Sequence, residues 1–71
     1  MINLKPVESS MIKQVGFDEE SEVLRVVFNN NATYDYADVP KVEHDALMEA
    51  DSIGKHFHRN IRGKFVTTKA K

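Results

Sequence analysis

Between residues 23 and 28 the side chains sort by parity. Leu24, Val26 and Phe28 point one way, and Val23, Arg25 and Val27 point the other. That period of two predicts a strand over 22–28. The same period returns over 32–38, where Ala32, Tyr34 and Tyr36 share a face. Between the two stands Asn29-Asn30-Asn31, and asparagine tolerates the left-handed backbone that a hairpin turn requires. A three-residue loop pairs Leu24 with Tyr36, Val26 with Tyr34 and Phe28 with Ala32. On the other face it pairs Arg25 with Asp35, Val27 with Thr33 and Val23 with Ala37. Aromatic then meets aliphatic and charge meets opposite charge. A two-residue loop sets Tyr34 against Arg25 and Leu24 against Asp35, so the longer loop is expected. Upstream, Ile12, Val15 and Phe17 predict a first strand over 11–17, closed by the acidic turn Asp18-Glu19-Glu20-Ser21.

After Tyr36 the period lengthens. Pro40 suits the first turn of a helix, where its missing N–H is not required. Residues 41–50 hold good helix formers, with Val42, Ala46, Leu47 and Ala50 as an apolar stripe. Asp51-Ser52 interrupts them, and Ser52 is the expected N-cap of a second helix. There Ile53, Phe57 and Ile61 recur at i, i+4 and i+8 on one face. Gly54 beside them permits a close approach by another segment, and Gly63 is expected to end the helix. Residues 64–67 read as a short edge strand. Residues 1–8 read as a leading arm and 68–71 as a mobile tail. The expected architecture is α+β: one domain over 1–71, built as a three-stranded antiparallel meander with two short helices on its apolar face.

Composition constrains this small domain further. Its 71 residues include no cysteine, so packing rather than disulfides or thiolate-bound zinc must hold it together. No stretch is long and apolar enough for a leader or a membrane span, and a soluble, cytoplasmic protein is expected. The net charge of −1 hides a strong segregation. All 11 acids lie between Glu8 and Asp51, which leaves residues 1–51 at −7, whereas residues 52–71 have no acid and carry +6.

That basic end carries the candidate chemistry. Lys55, His58, Arg59 and Arg62 follow i, i+3, i+4 and i+7, opposite Ile53, Phe57 and Ile61, and Lys64 follows at once. A solvated face usually mixes both signs. One with cations alone points as much to binding of phosphate or an acidic partner as to a merely solvated stripe. Tyr34 and Tyr36 match the aromatic platforms on which RNA-binding sheets stack bases. Because they share the most apolar face in the chain, a core role is expected for them, with the hydroxyls at its edge. His44, His56 and His58 lack metal-ligand spacing and read as ordinary histidines, so no metal and no cofactor is expected. No phosphate loop, nucleophile elbow or paired carboxylates point to catalysis.

Several motifs stand together in order: Ser9-Ser10, Val15-Gly16-Phe17-Asp18, Leu24-Arg25-Val26-Val27-Phe28, Tyr34-Asp35-Tyr36, Val39-Pro40, Ala50-Asp51-Ser52-Ile53-Gly54, Phe57, and Ile61-Arg62. This set resembles the KTSC domain, named for a C-terminal extension of some lysyl-tRNA synthetases and marked by its central Tyr-x-Tyr. Phe17 and His58 stand where that family often has tyrosine and asparagine. The resemblance implies mainly structural roles for Tyr34, Tyr36, Pro40, Ser52, Gly54 and Phe57. It also implies a stand-alone bacterial or phage protein, with RNA as a lead. The expected function is a small non-catalytic module binding nucleic acid, RNA first, through Lys55, Arg59, Arg62, Lys64 and His58. The alternative is a protein-interaction module with an acidic or basic partner.

Overall fold

The computed structural model describes residues 2–70. Met1 and Lys71, the ends of the expected arm and tail, lie outside them. Five antiparallel strands form one sheet in the order β1-β2-β3-β4-β5: β1 Leu4–Pro6, β2 Ile12–Asp18, β3 Val23–Phe28, β4 Thr33–Tyr36 and β5 Thr67–Lys69. Two helices, α1 Lys41–Glu49 and α2 Ile53–Asn60, lie between β4 and β5 in the chain.

The central hairpin has the expected register. Leu24 faces Tyr36, Arg25 faces Asp35 and Val26 faces Tyr34. Asn31 takes the left-handed conformation at φ 70°, and Phe28 N–H donates to the Ala32 carbonyl at 2.9 Å. Arg25 and Asp35 close a two-pronged ion pair, Nε to Oδ1 at 2.7 Å and Nη2 to Oδ2 at 2.9 Å. β2 joins this hairpin with a shift in register between Ile12 and Gln14. That bulge lets Ile12 and Val15, which differ in parity, both enter the core.

The meander is wider than the three strands expected, and both chain ends explain why. The leading arm supplies β1, which runs antiparallel to β2. It lies so close over Gly16 that an added Cβ would collide with the Ile2 side chain and stand 2.9 Å from the Asn3 carbonyl. The last strand starts three residues later than the expected 64–67, at Thr67, and runs into the segment read as a tail. It pairs along β4, with Tyr34 against Lys69 and Tyr36 against Thr67. Edge backbone groups of β2 and β4 otherwise lack partners, and short polar segments suffice to supply them.

The core lies between one face of the sheet and the two helices: Ile12, Val15, Leu24, Val26, Tyr36, Val39, Leu47, Phe57 and Ile61. Pro40 precedes α1 as its extended N-cap rather than standing in its first turn. The helix is also rotated from its expected stripe. Leu47 is buried, but Val42 is 73% exposed, and Ala46 is exposed as well. Val39 is buried just ahead of the helix, and the His44 ring stacks on Phe17 at 4.8 Å. Together they turn the His44–Leu47–Met48 side inward. Among the described residues, no helix is long and apolar enough to cross a membrane.

Candidate functional site

α2 is built from its cap outward. Ser52 Oγ accepts from Lys55 N–H at 3.3 Å, the expected N-cap bond. Phe57 and Ile61 are buried, and Lys55, His58 and Arg59 are exposed on the other side. Beside Gly54 the helix meets the turn before β2. A Cβ at that position would lie 3.2 Å from Ser9 Oγ and 3.6 Å from Met11 Cε. Ser9 Oγ itself accepts from Met11 N–H and Ile12 N–H, each at 3.2 Å. From the hairpin side, Asn29 Nδ2 donates to the Ser10 carbonyl at 2.8 Å. This turn is thus held from both flanks.

α2 ends at Asn60, earlier than the expected stop at Gly63. The N–H groups of Ile61 and Arg62 both donate to the Phe57 carbonyl at 2.9 Å, and Gly63 takes φ 77° in the turn that follows. Arg62 therefore leaves the helical stripe, and the predicted basic face divides. Lys55, His58 and Arg59 line a recess of about 630 Å³ with Glu8 and Asp51 on its other walls. Folding thus brings two acids to a face that has none in its own segment. Arg62 lines a second recess, of about 380 Å³, with Met11, Phe28, Tyr34, Tyr36 and Phe57. Met11 lines both, so the two adjoin. Arg62 Nη1 lies 3.4 Å from His58 Nδ1, linking the two groups of cations. Lys64 is exposed and lines neither recess.

The aromatic recess is made of rings meeting edge to face. Phe28 and Tyr34 have centroids 5.8 Å apart, while Phe57 is 5.4 Å from both Phe28 and Tyr36. Tyr36 is 4% exposed and belongs to the core, as expected of it. Tyr34 is half-buried at the rim. Burial pushes the Tyr36 phenol above its ordinary pKa, as does the neighbouring Tyr34, and Arg62 acts in the opposite direction.

Sequence reasoning missed Lys69. Pairing of β5 with β4 sets it directly across from Tyr34, so both side chains project from the same face of the sheet. No local signal marks it, because β5 is three exposed residues and its partner strand is remote in the chain. Among the described residues, none of Lys55, Arg59, Arg62, Lys64 and Lys69 takes part in an ion pair. The three histidines have separate settings. His44 Nδ1 lies 3.1 Å from Asp45 Oδ1, His56 Nε2 lies 3.5 Å from Glu43 Oε1 across the α1–α2 contact, and His58 adjoins Arg62.

Known proteins match this arrangement. The KTSC domain family model covers residues 8–65. An uncharacterised protein of Stutzerimonas stutzeri is 42% identical over 53 residues, which are 75% of each chain. A lysine–tRNA ligase of Nostoc punctiforme is 39% identical over 62 residues, 87% of this chain but only 11% of the ligase. The crystal structure of a KTSC domain protein from Yersinia pestis superimposes with a TM-score of 0.97 at 35% identity, covering 100% of both chains. With the family's motifs in place and its fold reproduced from end to end, this chain belongs to the KTSC domain family.

Proposed function

We propose that this domain is a small non-catalytic module that binds single-stranded nucleic acid, RNA first, with Lys55, Arg59, Arg62, Lys64 and His58 meeting the phosphate backbone. The observation that carries this reading is the set of exposed cations beside an aromatic recess, none of the lysines and arginines ion-paired among the described residues. Single-stranded nucleic acid is held by that combination of cations and aromatic faces. Similarity to a segment of proteins named as lysine–tRNA ligases supports RNA over DNA. Backbone contacts of this kind supply affinity without sequence preference.

Salt dependence tests the proposal. Three or four phosphate contacts on a single strand imply a log–log slope of about 2–3 against salt. Replacing Arg59 and Arg62 together by Gln should lower affinity and reduce the slope by about 1.4. Both side chains are exposed, so thermal stability should barely change. Fluorescence anisotropy of labelled single-stranded RNA at several salt concentrations measures both quantities. Absence of binding at low salt by the folded wild type rejects the proposal.

A second reading, a protein-interaction module, is favoured by the mixed walls of the larger recess, where Glu8 and Asp51 stand with Lys55 and Arg59. A partner of that kind should stay bound when homopolymeric RNA is added, whereas a nucleic-acid ligand should be displaced.

A further inference from the structure

We propose that the aromatic recess holds one nucleotide, its base against Tyr34 and Phe28 and its phosphate between Arg62 and Lys69. This deepens the nucleic-acid reading by naming the ligand of one recess, and the test below separates the two.

Three observations converge on this ligand. The volume of about 380 Å³ falls within the range of about 300–1,000 Å³ typical of small-molecule sites. Four of its nine lining residues are aromatic, and the rings of Phe28, Tyr34, Tyr36 and Phe57 meet at interplanar angles of 70–81°. No ring of this cluster is stacked flat on another, and of the four only Phe28 and Tyr34 are partly exposed, which makes them the two rings a base can meet. One cation lines the recess and a second stands beside one of its walls, from separate parts of the chain. Arg62 comes from the turn after α2, and Lys69 comes from β5, directly opposite Tyr34. Neither has an acidic partner among the described residues. A purely apolar occupant would leave both charges unused. A planar, apolar-faced ligand carrying an anion matches ring and cation together.

One polar group on the wall adds a donor. Asn30 Oδ1 already accepts from Ala32 N–H at 3.0 Å, so its amide nitrogen is left to donate to a carbonyl or ring nitrogen of the base.

Adenosine 5′-monophosphate, with inorganic phosphate as the control, is titrated into isotope-labelled protein and followed by NMR. The expected result is saturable movement of the Phe28 and Tyr34 ring signals with the nucleotide and not with phosphate alone. In parallel, labelled single-stranded RNA is titrated against Tyr34→Leu, Tyr34→Phe and Lys69→Gln. Tyr34→Leu should weaken RNA binding about tenfold, the loss of one stacked base, and Tyr34→Phe should restore it. Lys69→Gln, an exposed position, should lower the salt slope by about 0.7 without affecting folding. Ring signals unmoved by nucleotide overturn the recess assignment, as does wild-type RNA affinity in both Tyr34→Leu and Lys69→Gln. If RNA nevertheless binds with the predicted salt slope, the backbone reading stands alone. If the nucleotide fills the recess and no RNA binds, the recess is a site for free nucleotides and the strand-binding reading fails.

Discussion

Glu22 holds a left-handed backbone at φ 56°, an unfavourable place for a side chain with a Cβ. The position is enforced by its surroundings, since its carbonyl accepts from Val39 N–H at 2.9 Å and so ties the β2–β3 turn to the entry of α1. Glu22→Gly keeps that bond and removes the strain. Chemical denaturation should show a gain of about 0.5–1 kcal/mol, after the added freedom of the unfolded glycine is subtracted. Gly16 presents the opposite case. An added methyl has no room beneath the Asn3 carbonyl and the Ile2 side chain. Gly16→Ala should therefore cost about 1–3 kcal/mol. It should also speed hydrogen exchange at Val7 N–H, whose bond to the Lys13 carbonyl at 3.1 Å continues the β1–β2 contact. Unchanged exchange at Val7 would mean that β1 tolerates the methyl.

At the scale of elements, β4 is where the fold and the candidate site meet. Tyr36 packs against Leu24 across the hairpin and edge-on against Phe57 of α2 at 5.4 Å, so it joins sheet to helix. Truncating a buried aromatic of this kind costs about 3–5 kcal/mol, a large share of what a small domain possesses. Tyr36→Ala should thus lower the midpoint of urea unfolding severely, whatever it does to binding. Tyr34, one turn of the strand pleat away, sits half-buried, so its ring can serve a ligand at smaller expense to the core. Under the proposed nucleotide reading, the contrast between the two tyrosines would separate folding from recognition within a single strand. α1 makes a related point. Its inward side carries His44 stacked on Phe17, so part of the helix-sheet contact is polar-edged rather than aliphatic.

Across the whole molecule, the edges of the sheet are short and guarded. β1 contributes Lys5 and Pro6 and β5 contributes Lys69, all exposed, features that discourage pairing with another chain. The segregated charge survives folding only in part. Glu8 and Asp51 come beside Lys55 and Arg59, which leaves the Arg62–Lys69 side as the cationic region without acids on its recess walls. Alkaline stability supplies a global test of the core. Tyr36 has its pKa raised above 10.0 by burial, so the folded state keeps that proton more firmly than the unfolded chain does. The resulting stability is present in full below the unfolded pKa and is lost as pH rises through the folded one. Thermal melts from neutral pH upward should show this loss in the wild type. Tyr36→Phe, which cannot ionise, should show less of it, and equal alkaline loss in both proteins would assign the effect elsewhere.

Local pattern determined the hairpin, its three-residue loop and its register, because alternation and turn chemistry act over neighbouring residues and a slip would bury Arg25 or Asp35. It determined the buried side of α2 as well, through the spacing of Ile53, Phe57 and Ile61 and the cap at Ser52. Only the tertiary structure decided what the chain ends do. β1 and β5 are three residues each, too short and polar to announce themselves, and they are strands because β2 and β4 offer free backbone groups. The rotation of α1 was decided in the same way, by where Val39 and Phe17 already lay. So was the aromatic recess, whose walls come from β3, β4, β5, α2, the turn before β2 and residues flanking these. Lys69 comes beside Tyr34, one of those walls, through pairing across 35 residues of chain, a distance over which no local pattern carries information.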